Sequence, residues 1–250
     1  MTPEALQSAE PEPKGMGDVS RIGGIFFEPG KTFEDIARRP TWVVPMVLMI
    51  VVVLVLIALF AQHVGWERAV RHQFETNPRL MQLPADQRER QMQMQIRFSG
   101  VGAYVGVILG IPIVDLIWAG LLLGIVKGIM GAQVRYKQAF AVVAWAGLPG
   151  IISTILAIIV MFLKNPDDFN LQNPLVFNPG ALMDPLTSSK FTYSLASSLD
   201  LFTIWVLVLI GIGLKAAGGK TISAGGAMTA VFLPWMVWIL CKAALSGVFG

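Results

Sequence analysis

Residues 26–45, Phe-Phe-Glu-Pro-Gly-Lys-Thr-Phe-Glu-Asp-Ile-Ala-Arg-Arg-Pro-Thr-Trp-Val-Val-Pro, read as a short amphipathic helix held between prolines and running straight into a hydrophobic stretch. Pro29-Gly30 predicts a turn, and Thr32 predicts a helix cap followed by Glu34 and Asp35 in the first turn. Phe33, Ile36 and Ala37 fall on one face, Arg38 and Arg39 load the last turn, and Pro40 stops the helix. A segment of this pattern is expected to lie along a membrane surface before the chain enters the bilayer. Arg38 and Arg39 would then sit among the headgroups and hold the first span with its N-terminal end in the cytoplasm.

The composition of the whole chain fixes its class. It is 54% hydrophobic and 14% charged, with a mean hydropathy of +0.64, more apolar surface than a soluble domain of this length can bury. The apolar residues cluster into stretches long enough to cross about 30 Å of hydrocarbon at ~1.5 Å per residue. They predict an all-α bundle with five spans at about 41–64, 101–126, 139–163, 191–214 and 222–248. Residues 1–20 have no apolar core and predict a disordered cytoplasmic tail, leaving 21–250 as the membrane domain. The polar remainder leaves no room for a separate soluble enzyme domain. The net charge of +3 reflects basic residues at span boundaries and no nucleic-acid footprint. Cys241, the single cysteine, excludes a disulfide framework within one chain.

The turns at 127–138 and 215–221 carry Lys127, Arg135, Lys137, Lys215 and Lys220 with no acids, whereas 164–190 sets Lys164 and Lys190 against Asp167, Asp168 and Asp184. The positive-inside rule therefore places the tight turns and the N-terminus in the cytoplasm and the C-terminus outside. The loop 65–100 opposes this with six arginines, but it also holds four acids and is the longest, where the rule weakens. Its second half, from Pro84 to Phe98, predicts a helix along the outer interface, with Met92 and Ile96 sharing a face.

Span two carries two glycine triplets, Gly102, Gly106, Gly110 and Gly120, Gly124, Gly128, on one helical stripe. Such a stripe predicts a close helix–helix seam, inside the bundle or between copies, with a kink at Pro112. Asp115 points away from the stripe, toward a polar contact. Asp200 is the second membrane acid, and Lys242, at similar depth in span five, is its expected partner. A charge in hydrocarbon costs at least ~2.5–3.5 kcal/mol, so each of these groups should be paired, neutral or near water. A structural role for the acids leads, ahead of an ion path and of aspartyl catalysis, whose motifs are absent. Gly219-Lys220-Thr221 lacks the spacing of a phosphate loop, and His63 and His72 have no third ligand in pattern, so neither a cofactor nor a metal is expected. Leu148-Pro149-Gly150 and Leu233-Pro234-Trp235 read as kinks.

Taken in order, Phe26 to Phe33, Pro40-Thr-Trp42, Pro45, Phe140-Ala-Val-Val-Ala-Trp-Ala-Gly-Leu-Pro149 and Leu199-Asp200-Leu-Phe202-Thr-Ile-Trp205 resemble the bacterial branch of the Yip1 family, over about residues 22–245. The resemblance implies a five-span integral protein of the bacterial inner membrane with a cytoplasmic N-terminus and no assigned biochemical activity. Eukaryotic relatives are linked to Rab GTPases and vesicle traffic, a role not carried over because the short N-terminal tail offers no comparable docking domain. Fold analogy is a weak warrant for function. The leading expectation is a non-enzymatic scaffold acting through helix–helix association, in contact with lipid and with itself or other membrane proteins. The alternative is a small ion- or proton-coupled carrier using Asp115 and Asp200.

Overall fold

The structure is a computed structural model that describes residues 15–171, 173–184 and 187–249. The expected tail therefore lies outside the described residues from 1 to 14, and its last part, from Asp18, belongs to a helix. Among the described residues there is no strand. The chain forms α1 (Asp18–Phe27), α2 (Pro29–Arg38), α3 (Val43–His63), α4 (Trp66–Thr76), α5 (Pro78–Met81), α6 (Ala85–Gly128), α7 (Tyr136–Ala146), α8 (Pro149–Leu163), α9 (Lys190–Ser198), α10 (Leu201–Gly218) and α11 (Ala224–Phe249). Five stretches are long and apolar enough to span a membrane: Val43–His63, Ala85–Gly128, Tyr136–Leu163, Leu201–Thr221 and Ala224–Val248.

The amphipathic segment forms, with two corrections. Pro29 is the first residue of α2, where its missing N–H costs nothing, so Pro29-Gly30 is helix and no turn. Thr32 lies inside the helix, and its hydroxyl donates back to the carbonyl of Glu28 at 2.9 Å. The apolar face also meets protein in place of lipid. Phe33 and Ile36 are fully buried, and α2 packs on α10, α7 and α1. The pattern gave the face correctly; a period in sequence does not say whether lipid or a neighbouring helix covers it.

A buried arginine ties this assembly together. Arg21 of α1 is 3% exposed. Its Nε donates to Asp35 Oδ2 at 2.8 Å, Nη1 to Thr41 Oγ1 at 2.6 Å and Nη2 to the Arg39 carbonyl at 3.1 Å. The guanidinium also lies 5.8 Å from the Trp145 ring centroid. A buried cation needs this full set of acceptors. The Trp145 indole N–H in turn donates to the Thr41 carbonyl at 2.7 Å, so α1, α2, the entry to α3, and α7 close around one charge.

Span two departs most from expectation. The helix predicted along the interface is continuous with the span, giving a single 44-residue α6 that runs unbroken through Pro112. Its first part packs on α4, with Val70, Phe74 and Met92 buried together and Ile96 beside them. The glycine stripe forms no seam within the chain. A Cβ built at Gly102, Gly106, Gly110, Gly124 or Gly128 meets nothing within 4 Å, and one at Gly120 only Tyr136 Cε2 at 3.9 Å. The glycines that do carry close packing lie elsewhere: at Gly213 a Cβ would come within 2.9 Å of Phe33 Cδ1.

Spans three and four are each broken. Pro149 cannot donate to the preceding turn, so the third crossing divides at Gly147–Leu148 into α7 and α8. The fourth divides at Leu199–Asp200, so that α10 is the crossing and α9 a separate short helix against α11. One face of the bundle carries α1 and α2, with Gln138 Nε2 donating to the Ala37 carbonyl at 2.8 Å. The other carries α4, α5 and the 164–189 connection, joined by Arg68–Asp167 at 3.4 Å. Arg79 Nη2 reaches the Val248 carbonyl at 3.4 Å, which puts the end of α11 on that second face.

Candidate functional site

The two breaks face each other across a cavity of about 500 Å³ lined by α6, α7, α8, α10, α11 and the end of α9. Asp115, Asp200 and Lys242 all line it, with Ser153, Ser197, Ser198 and Thr203 among its polar groups and Trp118, Trp235 and Trp238 among its aromatic ones. Irregular backbone at membrane depth survives only where it is buried in protein or lines such a space.

At the α9–α10 break the freed backbone donors of Leu201, Phe202 and Thr203 find acceptors. The Leu201 N–H donates to the Phe177 carbonyl at 3.1 Å. Asp200 Oδ1 accepts from the N–H groups of Phe202 at 2.9 Å and Thr203 at 3.1 Å. Asp200 is therefore the N-cap of α10, a carboxylate at the positive end of the helix dipole. It does not sit inside a helix as the sequence predicts.

The expected Asp200–Lys242 ion pair is absent among the described residues, whose N···O contacts within 4.0 Å do not include it. Lys242 Nζ donates to Ser198 Oγ at 3.2 Å instead. Ser198 Oγ is itself engaged as a donor to the Ser194 carbonyl at 2.7 Å, so it is free to accept. Asp115 is half-buried and has neither a hydrogen bond nor an ion pair among the described residues. The cavity thus holds one capped acid, one lysine on a hydroxyl and one acid without a protein partner.

The serines and tryptophans of this cavity escape a reading of the sequence because they come from four separate elements, α6, α8, α9 and α11. The available signals were Ser197-Ser198 two residues before Asp200 and Gly147 and Gly150 around Leu148-Pro149, at the places where two helices break beside polar groups. The six glycines of span two take no part in the site. A second cavity, about 510 Å³, lies beside α2 and is lined by Glu34, Arg38, Gln138 and Lys215 among others. Its charges are mixed, and Lys215 Nζ is already turned onto the Gly219 carbonyl.

The sequence profile of the Yip1 domain matches residues 23–245. The chain belongs to the Yip1 family. The matched region takes in the second half of α1 at one end of this Yip1 domain and Lys242 at the other. It is also similar to "Membrane protein YknW" of Bacillus subtilis (strain 168), 24% identical over 202 residues, covering 81% of this chain and 80% of that protein. No solved structure matches this chain. Family, relative and spans agree that this is an integral membrane protein in contact with the lipid bilayer.

Proposed function

We propose that this Yip1-family protein is a non-enzymatic organiser of the bacterial inner membrane that works by helix–helix association through span two. The observation behind this reading is the outward, uncovered glycine stripe. Only 11% of the span-two membrane stretch is buried inside the chain, against 28–39% in the other four. A stripe of residues without side chains lets a second helix approach backbone to backbone, which is how association proceeds in lipid where no hydrophobic drive exists. The second helix would come from another copy or another membrane protein. The N-terminal face is read as cytoplasmic, because Lys31, Arg38, Arg39, Lys127, Arg135, Lys137, Lys215 and Lys220 outweigh Asp18, Glu28, Glu34 and Asp35 there.

The test is crosslinking in native membranes with a Gly106→Cys variant in a Cys241→Ser background. A linked species that disappears when Gly124→Leu is added supports the reading. Loss of no complex on Gly106→Leu with Gly124→Leu overturns it. A second reading, a small ion- or proton-coupled carrier, is favoured by the cavity that both acids line. Proton-dependent flux into liposomes holding the purified protein, abolished by Asp115→Asn, would support that reading; flux equal to protein-free liposomes would dismiss it.

A further inference from the structure

The cavity holds opposite charges that do not meet. Among the described residues Asp115 has no protein partner, and Lys242 has only the hydroxyl of Ser198. In a medium of low dielectric two such groups attract strongly, and leaving both unneutralised is costly. A simple cation would satisfy Asp115 and be repelled by Lys242, and a simple anion would do the reverse. A ligand carrying both signs, an ammonium and an anionic group a few bonds apart, satisfies both at once.

Depth and direction narrow the ligand further. A Cβ built at Gly226 lies 3.7 Å from Met130 Cε, which sets those two positions at one level on the N-terminal face. Counting along α6 and α11 from that level at ~1.5 Å per residue, Asp115 lies roughly 22 Å and Lys242 roughly 24 Å from it. Both therefore belong to the leaflet away from α1 and α2, given a core of about 30 Å. The cavity opens on the flank of the bundle. Trp238, 61% exposed, and Lys242, also exposed, line it, and their neighbours on α11 are the exposed apolar Met236 and Val237. Whatever enters by that flank comes from among the acyl chains.

We propose that this crevice binds the headgroup of a zwitterionic phospholipid bearing a primary ammonium, from the leaflet away from the N-terminal helices. Asp115 accepts from the ammonium, and Lys242 with the Ser198 hydroxyl holds the phosphate. Trp238 lies at the mouth, where the glycerol and upper acyl chain pass. Charge-assisted hydrogen bonds on both ends give the crevice its preference over a phospholipid without an amine. The volume suits one headgroup. Asp200 shapes the crevice as the cap of α10 and is not required to touch the lipid.

The full-length protein, purified in detergent and titrated with phosphatidylethanolamine or phosphatidylglycerol, tests this by native mass spectrometry. Wild type is expected to retain phosphatidylethanolamine in preference. Asp115→Asn should weaken that retention about tenfold, the size of one charge-assisted hydrogen bond, while leaving phosphatidylglycerol unchanged. Lys242→Met should weaken both lipids. Ser153→Leu, which fills the crevice without touching either charge, should also weaken both and keeps the test intact if Asp115→Asn does not fold. Equal retention of the two lipids by wild type, or a preference that survives Asp115→Asn, would overturn the proposal. So would dodecylammonium displacing phosphatidylethanolamine from wild type while binding Lys242→Met no better, since that outcome describes a cation site alone.

Discussion

At the scale of single residues, the charge that matters most to folding is Arg21, buried against Asp35, Thr41 and the Arg39 carbonyl. Removing one partner of a buried pair strands the other. Arg21→Ala is expected to cost about 3–5 kcal/mol, measured as a fall in the detergent unfolding midpoint. Unfolding indistinguishable from wild type would show that the cluster is dispensable. Asp200 offers a finer contrast. Asparagine caps a helix as well as aspartate, so Asp200→Asn should leave stability near wild type, whereas Asp200→Ala should lose about 1 kcal/mol. If both variants lose equally, the carboxylate does more than cap. Neither role was legible beforehand. Arg21 lies 14 residues before Asp35, outside any local spacing rule, and Asp200 falls in an apolar run whose break leaves no proline or glycine as a marker.

At the scale of elements, the spans were legible and their joints were not. Composition is enough to find apolar runs of about 20 residues. Helical period also gives the face of α2 and the shared face of Met92 and Ile96, because it decides which residues line up. It does not say what lies opposite. The two kinds of glycine show the difference. The regular triplets of span two face outward, while Gly213, in no pattern, sits against Val142 and Phe33. Gly213→Ala should therefore destabilise the chain by about 1–3 kcal/mol through overpacking. Gly106→Ala should be neutral or slightly stabilising in dilute detergent, as expected for an open helical position. Thermal unfolding of the two side by side checks this, and equal losses would mean that the span-two stripe is packed after all.

At the scale of the whole molecule, five crossings separate a face carrying α1 and α2 from a face carrying α4, α5 and the end of α11. Membrane-impermeant thiol labelling in a Cys241→Ser background reads that separation directly. Lys220→Cys should label only from the cytoplasmic side and Arg90→Cys only from outside, and labelling of both from one side would refute the arrangement. The cavity belongs to this scale too. Sequence supplied Asp115, Asp200 and Lys242 as the charged groups of the spans, but the Asp200–Lys242 ion pair it suggested is not formed among the described residues, and Lys242 turns to Ser198 instead. Depth comes from counting residues, but whether two side chains touch depends on how broken helices are turned, and no count along the chain contains that angle.

Because α6 is one uninterrupted helix, it is a stiff rod of roughly 66 Å, about twice the thickness of the hydrocarbon it crosses. Its first third is gripped by α4 and its last third by α7. A tilt of only about 10° imposed at one end would sweep the other by roughly 11 Å at that length. Anything that seizes the hairpin outside the membrane therefore moves the basic turn on the opposite side as a lever moves its far arm.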